Sequence, residues 1–248
     1  MHTIRTVSIS DTHGLHRKLP ELPPGDVLIH AGDFTNTGEK EQIVDFMDWF
    51  ASQNYKYKIL IAGNHDTTIH KEYYESIGRS RFHRRAGYDS EECRELLFAY
   101  PDVFYLEDSG ISLEFTSDHG TVHSISVYGS PWQPEFCDWA FNLSPGPELL
   151  EKWRKIPTNT DILITHGPPF GFGDLCSNGL RAGCQDLLHE IRRRVKPKLH
   201  VCGHIHEGYG LERQNGITYV NASTCTWHYC PTNPAIVVDI DMPSPEPV

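Results

Sequence analysis

The chain has no apolar run approaching the roughly 20 residues that a helix needs to cross a bilayer. Residues 1–5 lead straight into the apolar stretch Thr6-Val7-Ser8-Ile9 with no hydrophobic leader before it, so no secretory signal is expected. Positive charge is in deficit: 22 Lys and Arg against 33 Asp and Glu leave a formal net charge of −11. Such a field repels the phosphates of a polynucleotide or an anionic membrane, which argues against both as partners. A small anionic substrate stays compatible, because a metal site reverses the sign locally. The seven cysteines are odd in number and show no framework spacing, so reduced thiols in a cytoplasmic protein are expected. Internal repeats and low-complexity blocks are missing too.

What is present is ordinary globular material, 38% hydrophobic and 22% charged, which excludes a disordered chain. A length of 248 residues allows a sizeable core. We expect one domain over residues 1–241 and a Pro-rich tail over 242–248. Five short β-rich runs recur, each mostly apolar and each closed by turn residues. Val7-Ser8-Ile9-Ser10 ends at Asp11. Val27-Leu28-Ile29-His30-Ala31 ends at Gly32-Asp33, and Ile59-Leu60-Ile61-Ala62 at Gly63-Asn64-His65-Asp66. Ile162-Leu163-Ile164-Thr165 ends at His166-Gly167-Pro168-Pro169, and Leu199-His200-Val201-Cys202 at Gly203-His204-Ile205-His206. Helical spacing of Ile43, Phe46, Met47 and Phe50 predicts a helix over 42–53. Leu187, Leu188, Ile191 and Val195 predict one over 184–195, and a third is expected over 91–99. Further strands are expected at 124–128, 218–221 and 235–240. Together these give an α/β fold with buried strands.

In open α/β sheets the site lies beyond the carboxyl ends of the strands. Five distant segments would therefore deliver two Asp, one Asn and at least four His to one place. No apolar core needs that set, and the two carboxylates would repel without a cation between them. Divalent metals of intermediate hardness take carboxylate oxygen, amide oxygen and imidazole nitrogen. Asp11 and His13, with Gly14 permitting a turn, could serve one ion. Asp33, alone after Gly32, suits a carboxylate bridging two ions. Asn64 offers a neutral oxygen, and Gly-Pro-Pro leaves His166 at an edge. In an extended segment His204 and His206 would share a face and serve adjacent ions.

Asp11-Thr12-His13, Gly32-Asp33, Gly63-Asn64-His65-Asp66, His166 and Gly203-His204-Ile205-His206 resemble, in order, the five motifs of the calcineurin-like metallophosphoesterases. Asp33-Phe34-Thr35, Tyr128-Gly129-Ser130-Pro131-Trp132 through Trp139-Ala140-Phe141-Asn142, and His204 through Gly210 are similar to the small metallophosphoesterase-domain-containing group, linked to nucleotide phosphodiesterase activity. The resemblance implies a four-layer αββα sandwich of two mixed sheets flanked by helices. It implies that one ion takes Asp11, His13 and His206 and the other Asn64, His166 and His204, with Asp33 and a hydroxide bridging. His65 would be a proton donor outside the ligand shell. Many members carry an Asp three residues after the bridging Asp; here that position is Asn36, and Asp66 is the candidate to orient His65 instead.

Two dications less Asp11, Asp33 and hydroxide leave the site at about +1, suited to an anionic phosphate, and ions roughly 3.5–4 Å apart can hold nucleophile and phosphoryl oxygens together. The resulting expectation is a dinuclear phosphodiesterase hydrolysing nucleotide-like or other small phosphodiesters. Manganese or iron fits the mixed ligand set, and zinc is compatible. The alternatives are a phosphomonoesterase, including a protein phosphatase, or a nucleotide-binding or scaffold protein on the same fold. His30 and His200 read as core histidines, and His16 and His70 as surface ones. Cys225, His228 and Cys230 have the wrong spacing for a zinc site. Arg79, Arg81, Arg84 and Arg85 read as a solvated face, and Trp132 and Trp139 as packing residues. The Gly171-Phe172-Gly173-Asp174 run follows His166 closely enough to line a substrate pocket, and reads equally as a flexible turn.

Overall fold

A computed structural model describes residues 3–116 and 120–242. The expected tail therefore lies outside the described residues from position 243 onward. Two mixed sheets stack face to face. Across the first run Ile236–Asp241, Thr3–Ile9, Val27–His30, Tyr57–Leu60 and Val103–Tyr105, all parallel except Ile236–Asp241. Across the second run Gly210–Gln214, Ile217–Asn221, Leu199–Cys202, Ile162–Thr165, Val122–Ser130 and Ser109–Thr116. Its four inner strands are parallel, and the two edges are antiparallel hairpin partners.

Alternation of side chains along each strand builds the layers. One face of the first sheet, with Val27, Ile29, Ile59 and Ile61, meets Ile125, Val127, Ile162, Ile164 and Val201 of the second in a single apolar core. The opposite faces carry Val7, Ile9, Leu28 and Leu163 toward the helices. Helix Lys40–Ala51 buries the stripe Ile43, Phe46, Met47 and Phe50. It contacts helix Ser90–Phe98, whose first turn is capped by the Asp89 carboxylate accepting the Glu91 and Glu92 amides. Helix Pro147–Arg154 packs with Gln185–Glu190 over the second sheet and buries Trp153 completely. The result is the expected four-layer αββα sandwich.

Boundaries shift modestly from those expected. The 184–195 helix is α-helical only over Gln185–Glu190 and widens to a π-turn at Ile191–Val195. Val103–Tyr105, Ser109–Thr116, Gly210–Gln214 and Pro147–Arg154 were not foreseen. His16 is a correction. It is 1% exposed, beside Phe46 and Trp49, with Nε2 3.0 Å from Asp45. His70 is half-buried, accepting the Phe141 amide at Nδ1.

Candidate metal centre

The five loops close on one another through backbone bonds. The Asp11 amide donates to Gly32 O at 2.9 Å, the His13 amide to Asp33 O at 3.0 Å, and the Gly203 amide to His166 O at 3.0 Å. Thr224 N donates to Ser10 O, tying the ends of the two sheets together. Asp11 (φ 52°), His13 (φ 43°), Asp33 (φ 58°) and His204 (φ 66°) all stand in the left-handed region. Non-glycine residues occupy it at a cost, and they cluster where a fold over-determines a functional geometry. His204 and His206 are therefore not in an extended segment as expected. The chain turns at His204 and enters a 3-10 turn at His206, which sends the two rings into different groups.

Among the described residues, His, Cys, Asp and Glu side chains converge in three overlapping groups: Asp11, His13 and His206; His13, Asp33 and His65; and Asp33, His166 and His204. Asn64 joins the last, with Oδ1 2.9 Å from His166 Nε2. Asp33 groups with His166 and His204 and also with His13 and His65, and its Oδ2 lies 3.3 Å from His166 Nε2 and 4.0 Å from His13 Nε2, within reach of a residue from each of the two expected ligand sets. All the expected ligand-type residues thus lie together.

Tautomers test whether a cation fits here. His166 Nδ1 donates to Ala31 O at 2.8 Å, and His206 Nδ1 donates to Thr226 O at 3.1 Å. Each ring then turns its Nε2 inward. His166 Nε2 faces Asp33 Oδ2 at 3.3 Å, while His206 Nε2 faces Asp11 Oδ1 at 3.3 Å and His13 Nε2 at 3.2 Å. Lone pairs and carboxylates aimed at one another require either protons or cations between them. The donor set fits divalent cations.

Where no cation is bound, protons take that place on two of the rings. Burial alone would raise the Asp11 and Asp33 carboxyls, but His206 holds Asp11, and His166 holds Asp33, below the usual range. Burial would lower His166, yet the Asp33 charge lifts it to about 9, and the Asp11 bond raises His206. Burial pushes His13 and His204 down to about 3, which keeps them neutral and available as ligands. Close approach demands glycine at two points. A Cβ on Gly63 would sit 2.3 Å from Asp33 Oδ1, and one on Gly203 would sit 2.1 Å from Asp11 Oδ2.

His65 lies at the rim, its ring 4.6 Å from that of His13. Its Nδ1 donates to the backbone carbonyl of Asn36 at 2.7 Å. Asp66 does not orient it, contrary to expectation. Both Asp66 oxygens are taken by the amides of Asp33, Thr35 and Gly63 and by the Thr35 hydroxyl, at 2.7–2.9 Å. Asp66 instead stitches the Asp33 loop to the Asn64 loop; burial first, then the Asp33 charge, pushes its carboxyl up to about 7.

Trp139 packs, as expected, and its partner is the rim histidine. It stacks on His65 with centroids 4.1 Å apart and planes 23° from parallel, and Arg81 lies over it at 5.3 Å. Arg79, Arg84 and Arg85 stay exposed, as a solvated face should. Trp132 packs as well, with its indole N–H on Asp108.

A cavity of about 470 Å³ opens onto the ligand groups. The Gly171–Asp174 turn does not line it: Phe172 stacks on Tyr219, and buried Asp174 binds Arg181. Residues a few positions on, such as Ser177, line it instead. Cys225, His228 and Cys230 form no metal group among the described residues. Between them, however, Trp227 and Tyr229 were missed: both line the cavity, and the Tyr229 ring sits 4.8 Å from His13 and 5.3 Å from His206. Exposed aromatics flanked by cysteines were the available signal, read for the wrong chemistry.

Two stacked mixed sheets with Asp, Asn and His gathered at their strand ends define a metal-dependent phosphoesterase. The calcineurin-like phosphoesterase family matches residues 4–208, and the chain belongs to it. It is 45% identical over 243 residues to human metallophosphoesterase domain-containing protein 1, spanning 96% of this chain and 72% of that protein. It is 34% identical over 245 residues to a UPF0046 protein of Caenorhabditis elegans, covering 97% and 82% of the two chains. The solved structure of TT1561 from Thermus thermophilus shares the fold, with a TM-score of 0.56, 13% identity and 90% coverage of each chain.

Proposed function

We propose that the chain is a dinuclear phosphodiesterase acting on small phosphodiesters, including nucleotide-like ones. The observation that carries this reading is the pair of imidazoles, each fixed through Nδ1 by a backbone carbonyl, that aim Nε2 at two buried carboxylates. Asp11, His13 and His206 would hold one cation, Asn64, His166 and His204 the other, and Asp33 both. Manganese or iron suits the mixture best, and zinc is compatible. When bound, such a pair supplies an acidified water and positive charge for the phosphoryl oxygens.

The chain's own residues do the rest. Carbonyls of Ala31 and Thr226 fix which nitrogen of His166 and His206 is offered. The His65 amide donates to Asp33 Oδ1 at 2.7 Å, which limits rotation of that carboxylate. The His65 ring, with Nδ1 committed to Asn36, presents Nε2 to the cavity it lines. With a second proton on that Nε2, the ring can pass it to an alkoxide as it leaves and return to the neutral form, a contribution of roughly 10²–10⁴ in rate. A cytoplasmic setting and a small-molecule substrate accord with the acidic composition.

The test is reconstitution with manganese, elemental analysis, and hydrolysis of bis-p-nitrophenyl phosphate against p-nitrophenyl phosphate. About two equivalents of metal and preference for the diester are expected; a monoester preference would replace the reading with a phosphomonoesterase. Asp33→Ala should lose metal and nearly all turnover; wild-type activity in that variant would reject the bridging assignment. His65→Ala should keep its metal and slow diesters with alkyl leaving groups far more than those releasing p-nitrophenolate; equal slowing of both rejects the proton-donor role.

A further inference from the structure

The cavity beside the ligand groups has a wall chemistry of its own. Phe136 lines it, edge-on to His204 with centroids 5.9 Å apart, and Tyr229 lines it against His206 and His13. Trp227 lines the same space. These three rings are 57%, 48% and 62% exposed respectively, an unusual outlay of aromatic surface beside a polar centre. Glu135 and Glu207 also line the cavity, and no Lys or Arg is among the described residues that do. Arg181, adjacent in sequence to the lining residue Ala182, is bound to buried Asp174 and cannot supply the missing cation. The Glu207 carboxylate is fixed by the Ser177 amide at 3.0 Å.

A site that met a second phosphate, or a dianionic monoester, would place a guanidinium or ammonium in this wall. Aromatic faces with fixed carboxylates suit the opposite charge. A quaternary or primary ammonium is attracted to ring faces and to carboxylates alike, and it gains most where the rings exclude water. Nucleobases also stack on such rings, but they carry no positive charge for two carboxylates to neutralise.

We propose that this cavity seats the ammonium-bearing alcohol half of a phosphodiester, of the choline or ethanolamine class, between Phe136, Trp227 and Tyr229 with Glu207 as counter-charge. The assignment rests on the phosphodiesterase reading. In the reaction it predicts, water adds to phosphorus and the P–O bond to the other alcohol breaks. That alcohol leaves with a proton, and the phosphomonoester of the ammonium alcohol is released. No oxidant or reductant is involved.

The experiment compares three manganese-loaded reactions that share one leaving group. The substrates are p-nitrophenyl phosphocholine, its uncharged isostere p-nitrophenyl 3,3-dimethylbutyl phosphate, and p-nitrophenyl thymidine 5′-phosphate. The choline ester should exceed the isostere in kcat/KM by about tenfold. Glu207→Gln and Trp227→Ala should each cut that ratio by at least about threefold. Independently of turnover, choline should perturb the intrinsic tryptophan fluorescence of the unaltered chain at concentrations where 3,3-dimethylbutanol does not. A ratio near one, a preference for the thymidine ester, or variants that slow charged and neutral esters equally would overturn the ammonium assignment while leaving the phosphodiesterase reading intact. Failure to hydrolyse any of the three, and bis-p-nitrophenyl phosphate as well, would remove both.

Discussion

His65 shows how one residue's chemistry depends on neighbours that carry no charge. The family resemblance implies a carboxylate where this chain has Asn36; here a peptide carbonyl takes the ring N–H and Trp139 stacks on the ring. A carbonyl leaves the ring free to swing about that single bond, so the stacked indole is the second restraint. Trp139→Ala should therefore lower kcat for a diester with an alkyl leaving group by about tenfold, a fraction of the full general-acid contribution. It should change KM and metal content little, and Trp139→Phe should restore most of the loss, since a phenyl ring can occupy the same plane. An equal loss with p-nitrophenolate esters would mean that Trp139 supports the loop as a whole.

At the scale of elements, the strand ends carry the site, and they were legible because each one joins a short apolar run to Asp, Asn or His. Ile162–Thr165 and Leu199–Cys202 fall where the pattern put them. What could not be read was anything set by backbone atoms or distant packing. The carbonyl of Asn36 has no sequence signature. The Trp227–Tyr229 loop reaches the site only because Ser10 and Ser223 join the two sheets. The segment between Thr67 and Phe82 breaks into 3-10, α and π turns whose periodicity no single template matches. Loop geometry makes a separate demand at Gly63, where there is no space for a Cβ between the backbone and the Asp33 carboxylate. The strand before it, Tyr57–Leu60, is paired on both sides and should tolerate a change in the loop. Gly63→Ala should thus fold, with wild-type circular dichroism, but reconstitute with markedly less manganese because Asp33 is displaced. A full metal complement in that variant would show that the carboxylate has room to move.

Across the whole molecule, the two buried strand histidines make the fold acid-sensitive, apart from any metal. The Thr165 hydroxyl donates to Gly167 O, so it must accept from the His200 Nε2–H at 2.8 Å, leaving Nδ1 buried without a partner. His30 receives the Gly32 amide at Nδ1 and donates from Nε2 to Thr12. A second proton on either ring would enter a site that has no acceptor for it, and burial holds both rings down to about 3. Both folded values lie below the unfolded one of about 6.5. Above that pH neither state is charged and stability does not depend on these rings. As pH falls from about 6.5 toward 3, the unfolded chain takes up protons that the folded chain refuses, so stability is lost. At pH 5 each ring should cost about 2 kcal/mol relative to pH 7. The ligand histidines His166 and His206 titrate in the opposite sense in metal-free protein, so the effect is isolated by difference. Urea unfolding of metal-free wild type and His200→Gln at pH 7 and pH 5 is the measurement. Gln keeps a donor for Thr165 and cannot be protonated, so the variant should lose about 2 kcal/mol less than wild type on acidification. Parallel losses in the two proteins would show that His200 takes its proton while folded, and that the strand core opens to water there.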